Sequence, residues 1–449
     1  MTTPVANTVR HRVLVIDGGG RGHAICRLFT RTDPDVTVFY GPGCDLVQDD
    51  RIVSVPSISL FNPRTALEFL LENPVDFVFV AHIDALSRAY VDILRASGQR
   101  VIGPDRAAAL LEASKERGKR FCADNGIPMP RYQAFTDPEL AREYVRSLPY
   151  ECVVKTDGLT LLGDGTVVCD SPAEAEAAVV QFASEAGDDF RVVIEERLRG
   201  WEISVFALLD GDSALALPSA LDYKRTFEDD RGKNCDGMGS VTPHPEAGPE
   251  LDAEIRRTVL DPVVRAMRHE GLDYSGFLYI AVMMTDDGPR VIEINTRIGD
   301  SEAQVLLPGI RTDFTSLCRA VLDRTLHEQK IHTDGLARCC VALTQGCLDP
   351  DDPDAHPGYP FAGFITGQHV TGLEAVDADE ADLFYADLRA DALGRPVTAG
   401  GRVVHVVGAG STLAEARERA YRQIDRIAFR GMRYRGDIGL LVENEGALR

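Results

Sequence analysis

The chain has 449 residues, 44% of them hydrophobic, and a formal net charge of −22. That length exceeds one usual core and predicts two to four domains, and the acidity excludes a nucleic-acid surface while suiting a soluble enzyme of small molecules. No apolar run reaches membrane length, residues 1–12 lack the apolar stretch of a secretory signal, and the 10 cysteines show no zinc-like spacing. A cytoplasmic protein with reduced, mostly buried thiols is therefore expected, without nucleic-acid or membrane partners and as a monomer or homodimer.

Residues 1–106 alternate strands and helices. A strand over 11–17 runs into Gly18-Gly19-Gly20-Arg21-Gly22-His23, and a helix should follow through 29. Strands are predicted at 36–40, 51–55, 75–81 and 101–103, with helices at 65–72 and 85–97. This is the pattern of a parallel sheet with helical crossovers. The glycine turn either receives an anion at a helix N-terminus or is only a tight turn; Arg21 and His23 favour the anion. Residues 107–130 read as a helix over 107–125 and a stiff connector, Gly126-Ile127-Pro128-Met129-Pro130. Residues 131–198 have the size of a lid, with strands at 152–155, 166–169 and 191–196, a helix at 172–183 and a loop over 158–165. Residues 199–330 form an antiparallel unit with strands at 202–208, 276–284 and 290–294 and helices at 251–270 and 313–326. Residues 331–449 read as a smaller α+β unit, with strands at 337–344 and 403–408, a helix at 413–427 and a loop rich in Asp and Pro over 349–360.

Glu293 and Asn295 stand two apart on a strand, so both point to one face. A carboxylate and an amide oxygen there can hold Mg²⁺, or Mn²⁺ in its place; a polar strand end is the plain alternative. Arg297 follows at the same period if the strand continues, and would meet an anionic substrate. Lys155 ends the apolar run Cys152-Val153-Val154-Lys155 and either faces solvent or meets phosphate oxygens. Lys115 lies in a helix. The strand exit at Glu195, Glu196 and Leu198 offers backbone to an adenine edge, and Glu202 a carboxylate to ribose hydroxyls. Asp222 and Lys224 stand near a second glycine loop, which includes Asn234 and Gly237 and reads as a substrate rim or an ordinary surface loop.

The order of these elements resembles the ATP-grasp superfamily, and more closely the phosphoribosylamine–glycine ligases, nearly end to end. The first glycine turn is similar to that family's Gly-Gly-Arg-Glu-His, with Gly22 where Glu is usual. Glu112-Ala113-Ser114-Lys115 resembles Glu-Gly-Ser-Lys, and Lys155-Thr156-Asp157-Gly158-Leu159 resembles Lys-Ala-Asp-Gly-Leu; the resemblance makes both lysines phosphate ligands. It assigns Glu195, Glu196 and Leu198 to the adenine hinge and Glu202 to ribose. Residues 293–300 resemble the signature Glu-Phe-Asn-Cys-Arg-Phe-Gly-Asp, in which Glu and Asn carry Mg²⁺. The stretches 412–421 and 431–439 resemble the family's end. The resemblance thus implies a multi-domain ATP-grasp fold of mixed α/β and α+β class: a parallel N-terminal sheet, a small lid, an antiparallel central domain and a C-terminal α+β domain.

The departures from that pattern lie at one end. The loop over the phosphates, Gly-Leu-Ala-Ala-Gly-Lys-Gly in the family, runs here over 158–165 with one residue more and Asp164 in place of lysine. The Gly-Pro-Glu motif after the fourth strand is replaced by Ala81-His82-Ile83-Asp84-Ala85. The Pro-Asn-Thr-Gly-Gly-Met-Gly loop reads Lys233-Asn234-Cys235-Asp236-Gly237-Met238-Gly239. The expected function is an ADP-forming carboxylate–amine ligase that uses ATP and Mg²⁺, makes an amide through an acyl phosphate, and works on a non-standard pair in specialised metabolism. The alternatives are the purine-pathway ligase itself and a catalytically weakened nucleotide-binding homologue. Lys115 and Lys155 are expected on phosphate, Arg297, Lys155, Asp222 and Lys224 in catalysis, and Gly20, Arg21, His23, His82, Asn234, Gly237 and Arg297 around the substrate.

Overall fold

The computed structural model describes residues 10–159, 165–346, 358–360 and 364–440. It is a multi-domain ATP-grasp architecture. Five parallel strands open the chain: β1 (His11–Asp17), β2 (Val36–Pro42), β3 (Ile52–Ser54), β4 (Phe77–Val80) and β5 (Val101–Ile102), in the order β3-β2-β1-β4-β5. Val13, Leu14, Val15 and Ile16 of β1 are wholly buried, as a strand covered on both faces requires. The chain steps outward from β1 through β2 to β3, then returns to the other side of β1 with β4. Such a reversal leaves a crevice at the carboxyl ends of β1 and β4, where Asp17 and His82 stand.

Helix α1 (Gly20–Thr32) begins at once after the glycine turn. Position 22 admits no side chain there, because an added Cβ would lie 2.6 Å from Asp17 Cβ and 2.7 Å from the Tyr40 hydroxyl.

Several predicted helices are subdivided. The helix expected over 107–125 breaks at Ser114 into Arg106–Ala113 and Lys115–Asp124. Ser114 Oγ caps the second half by accepting from the Arg117 amide at 3.1 Å, so the chain restarts a helix with Lys115 in its first turn. The stretch 85–97 is two short helices, Ile83–Ser87 and Tyr90–Ala96, with Ala89 between them in the left-handed region. The stretch 251–270 is interrupted by a π-helical turn at Arg256–Leu260. The strand Gly288–Asn295 stops at Asn295, so Arg297 is not the third residue of a strand face.

The lid sheet runs in the order Tyr132–Phe135, Val192–Glu196, Cys152–Thr156, Thr166–Cys169. The central antiparallel sheet runs Ala214–Ala216, Trp201–Leu209, Gly276–Thr285, Gly288–Asn295. A third sheet joins Leu221–Asp222 and Gly239–Thr242 to Ala337–Gln345, Arg402–Gly410 and Ala381–Tyr385, so the second glycine loop hangs from the C-terminal sheet. One core ties three of these regions together: Phe29 and Phe79 of the first unit pack on Phe277 and Phe314, and the same cluster reaches Phe384 and Val407. Among the described residues no helix is long and apolar enough to cross a membrane, and the nine described cysteines are free and buried.

Candidate active site

The strand Gly288–Asn295 carries Glu293 and Asn295 to one face, and Asn295 Nδ2 donates to Glu293 Oε1 at 3.2 Å. Burial works against the Glu293 charge, but Lys224, Lys155, Asn295 and Lys115 around it outweigh that and hold its carboxyl at about 2. Glu293 is thus ionised under the influence of Lys115 from a helix, Lys155 from a strand and Lys224 from a loop. Lys115 Nζ donates to the Gly158 carbonyl at 3.0 Å. Its orientation depends on the helix break, since Asp157 accepts from both Ser114 Oγ at 3.1 Å and the Glu116 amide at 3.1 Å. Asp164 and the rest of 160–164 lie outside the described residues.

Lys155 is not a solvent-facing strand end. It is 6% exposed and paired with Glu195, which also meets Lys119 Nζ at 2.5 Å. The Glu195 side chain therefore serves as a buried counter-ion rather than an open ligand, and Lys119, which the sequence reading passed over, is its second partner. Glu196 points outward into a two-point pair with Arg131 at 3.1 and 3.1 Å. The amides of Glu196 and Arg197 bond to Arg131 and Glu151 carbonyls, whereas among the described residues the Leu198 amide has no backbone partner. Glu202 Oε2 accepts from Lys224 Nζ at 2.6 Å. Burial opposes the Lys224 charge, yet Glu202, Tyr279, Glu293 and Asp222 raise its affinity for a proton well above the usual range.

The second group of residues gathers at the crevice. Asp222 is pushed up by burial and then by Glu302, whose own carboxyl is raised by burial. The two are linked through the backbone: Asp222 lies opposite Ser240, and Ser240 Oγ donates to the Ser301 carbonyl at 3.0 Å. Gly237 sits at φ +89°, and a Cβ there would lie 2.6 Å from Asp222 Oδ1, so glycine is required on both counts. Asn234 pairs with Arg225 in a hairpin on the rim. Arg297 Nη2 meets Glu112 Oε1 at 2.9 Å and leaves Nε without a partner. His82 Nδ1 accepts from the Asp84 amide at 3.2 Å and caps the helix Ile83–Ser87.

Arg21 Nε meets Asp17 Oδ2 at 2.9 Å, and the Arg21 amide donates to Asp300 Oδ2 at 3.1 Å. Gly20 packs against Gln304 and His405, with an added Cβ 2.6 Å from Gln304 Nε2. Burial is outweighed at Asp300 by Arg402, His405 and Arg21, which hold its carboxyl below the usual range. Arg402 Nη1 also donates to the Asp300 carbonyl at 2.7 Å and to the Asp236 carbonyl at 2.6 Å. His23 is not brought to the crevice. Its ring lies against Phe384 and Tyr385, Nδ1 accepts from the Tyr385 amide at 3.0 Å, and burial lowers it to about 3. It is a neutral packing residue between α1 and the C-terminal sheet. Asp17, Glu302 and Arg402 had no spacing that marked them. Only the final 300 of the 293–300 signature gave a signal for Asp300.

Sequence profiles of the three phosphoribosylglycinamide synthetase domains match in order: the N domain at 11–112, the ATP-grasp (A) domain at 113–303 and the C domain at 354–441. The chain is 35% identical over 433 residues to phosphoribosylamine–glycine ligase of Caldanaerobacter subterraneus subsp. tengcongensis, covering 95% of this chain and 99% of that protein. It is 36% identical to the ligase of Allochromatium vinosum, covering 95% and 98%. The crystal structure of phosphoribosylamine–glycine ligase from Thermotoga maritima superposes with a TM-score of 0.78 at 29% identity, covering 95% of this chain and all of that one. A biotin carboxylase domain from Hydrogenobacter thermophilus shares the fold alone, with a TM-score of 0.70 at 16% identity over 97% of this chain and 94% of that one. The chain belongs to the phosphoribosylglycinamide synthetase family of ATP-grasp ligases.

Proposed function

We propose that the chain is an ADP-forming carboxylate–amine ligase whose nucleotide end is that of its family and whose amine end is redrawn. The observation that carries this reading is the gathering of Lys115 on the Gly158 carbonyl, Lys155 on Glu195 and Lys224 on Glu202 near Glu293, three lysines placed to meet a triphosphate. Leu198 at the hinge and Glu202 suit adenine and ribose. Glu293 and Asn295 fit a hard divalent cation: they offer two oxygen donors, Glu293 stays charged, and no group of three or more His, Cys, Asp or Glu among the described residues competes. Mg²⁺ bound there would draw its remaining ligands from phosphate and water and would offset charge on the phosphoryl oxygens.

The chemistry proposed has two steps. A substrate carboxylate oxygen attacks the γ-phosphorus of ATP, giving an acyl phosphate and ADP. The amine nitrogen then attacks the acyl carbon, the C–O bond to phosphate breaks, and the nitrogen gives up its proton. Lys115 and Lys155 bind and orient the phosphates, and Lys224 holds Glu202 in place. Arg297, with Nε open, orients the acyl carboxylate or the transferred phosphoryl group.

The purine-pathway pair, phosphoribosylamine and glycine, is the second reading. What favours it is the near-complete coverage by relatives that bear that name. What favours a different pair is the crevice, where His82 follows β4 in place of the family's Gly-Pro-Glu and Gly22 stands in place of Glu. ADP and phosphate release across a panel of carboxylates and amines tests the ligase reading. ADP above background that requires both an acid and an amine is expected. No such pair would leave a nucleotide-binding homologue.

A further inference from the structure

The rim beside the second glycine loop is clasped from the C-terminus. Arg225–Phe227 and Arg231–Asn234 form a two-stranded hairpin that joins no larger sheet. Such a hairpin is marginal by itself and needs something outside it to hold its geometry. Its tip adds to that need, since Asp229 and Asp230 both stand in the left-handed region, at φ +57° and +54°.

The stretch 435–439 supplies the hold. Arg435 is wholly buried, and a guanidinium in that position must have its donors paired. Its Nε and Nη2 make a two-point pair with Asp437 at 2.8 and 2.7 Å. Its Nη1 donates to the Arg225 carbonyl at 2.9 Å and to Asp230 Oδ1 at 3.1 Å. Asp437 Oδ2 accepts from the Asp229 amide at 3.0 Å, and the Gly436 amide donates to Glu228 Oε1 at 3.0 Å. The same guanidinium lies 5.2 Å from the centre of the Tyr223 ring, whose hydroxyl accepts from the Gly439 amide at 3.0 Å.

These contacts bracket one residue of the site. Tyr223 and Arg225 are held on either side of Lys224, and the Lys224 carbonyl accepts from the Cys235 amide at 2.9 Å. Lys224 Nζ in turn donates to Glu202 Oε2 at 2.6 Å. A lysine is a point charge on a flexible stem, so where its ammonium sits depends on the backbone it starts from. Resting on the reading of Glu202 as the ribose acid, we propose that Arg435 is a positioning residue of the nucleotide site: by fixing the backbone of 223–225 it aims Lys224 at Glu202 and so sets the carboxylate that meets the ribose hydroxyls.

Calorimetric titration of the full chain with ADP and with its dideoxy analogue, which lacks both ribose hydroxyls, tests this without turnover. The wild-type chain is expected to bind ADP at least about tenfold more tightly than the analogue, the worth of one hydrogen bond to a charged group. Arg435→Met should bring that ratio below about threefold by weakening ADP alone, whereas a general loss of structure would weaken both nucleotides and leave the ratio unchanged. An unchanged ratio therefore overturns the proposal. Arg435→Met strands the Asp437 carboxylate, so Arg435→Met with Asp437→Leu is the companion variant: it removes the clasp without leaving a buried charge. It should melt near the wild type and show the same collapse of the ratio, and a double variant that melts there but keeps the ratio overturns the proposal whatever the single variant does. A wild-type chain that binds the two nucleotides alike removes the ribose reading of Glu202 and the proposal with it, whereas a wild-type preference that survives in the variants overturns the proposal alone.

Discussion

Single side chains line the proposed nucleotide end, and their burial decides what substitutions do. An exposed lysine exchanged for alanine stays within about 0.5 kcal/mol of the parent stability. Lys155 is buried against Glu195, so Lys155→Ala should cost about 1–3 kcal/mol, softened because Glu195 keeps Lys119, and should raise KM for ATP as well. Denaturant unfolding and ATP kinetics on one preparation check both effects. Glu293→Gln should lower kcat at least about 100-fold, the scale of removing one positioned electrostatic group. It also has a pH signature. The Glu293 carboxyl falls from 4.5 to about 2 on folding, so its contribution to stability is complete above about pH 4.5 and is lost as pH falls towards 2. The wild-type and Glu293→Gln stability curves should therefore approach one another below pH 4, and a constant gap from pH 7 to pH 2 would contradict the assignment. At this scale the shared face of Glu293 and Asn295 was legible, because a two-residue period needs only a strand. It could not show Lys119 or Asp17, whose roles come from elements far apart in the chain.

Elements aim these residues. The break at Ser114 is a case where one helix over 107–125 is expected and two form: residues 114–120 carry no apolar side chain, and the cap with its bond to Asp157 separates Arg106–Ala113 from Lys115–Asp124. Ser114→Ala should cost about 0.5–2 kcal/mol as a lost N-cap. It should also raise KM for ATP, because Lys115 loses the turn that directs it to Gly158. An unchanged KM would mean that the break serves folding only. Gly237→Ala acts on the other side. It forces alanine into a left-handed conformation, for about 1–3 kcal/mol, and drives a Cβ against Asp222. Turnover should fall with the amine step while ATP binding is kept, which a comparison of KM for ATP and KM for the amine resolves. The strand ending at Asn295 likewise moves Arg297 out of the period expected for it and sets it on Glu112.

Across the whole molecule, the parallel sheet, the lid and the antiparallel sheet were legible because each is built from local alternation. The third sheet was not, since Gly239–Thr242, which pairs with Leu221–Asp222, joins a strand more than 95 residues later in the chain, and no local pattern encodes that pairing. That sheet brings Arg402 to the carbonyls of Asp236 and Asp300 and so completes the crevice from the C-terminal side. On the proposed reading the molecule divides into a nucleotide end around Glu293 and an amine end around Asp17, His82, Asp222, Asp300, Glu302 and Arg402. The most direct measurement of that division is kcat/KM with phosphoribosylamine and glycine, set beside the best pair from the substrate panel. A value well below about 10⁴ M⁻¹s⁻¹ for the purine pair, with another pair above it, is the result expected. A value at or above that level for phosphoribosylamine and glycine would contradict a redrawn amine end.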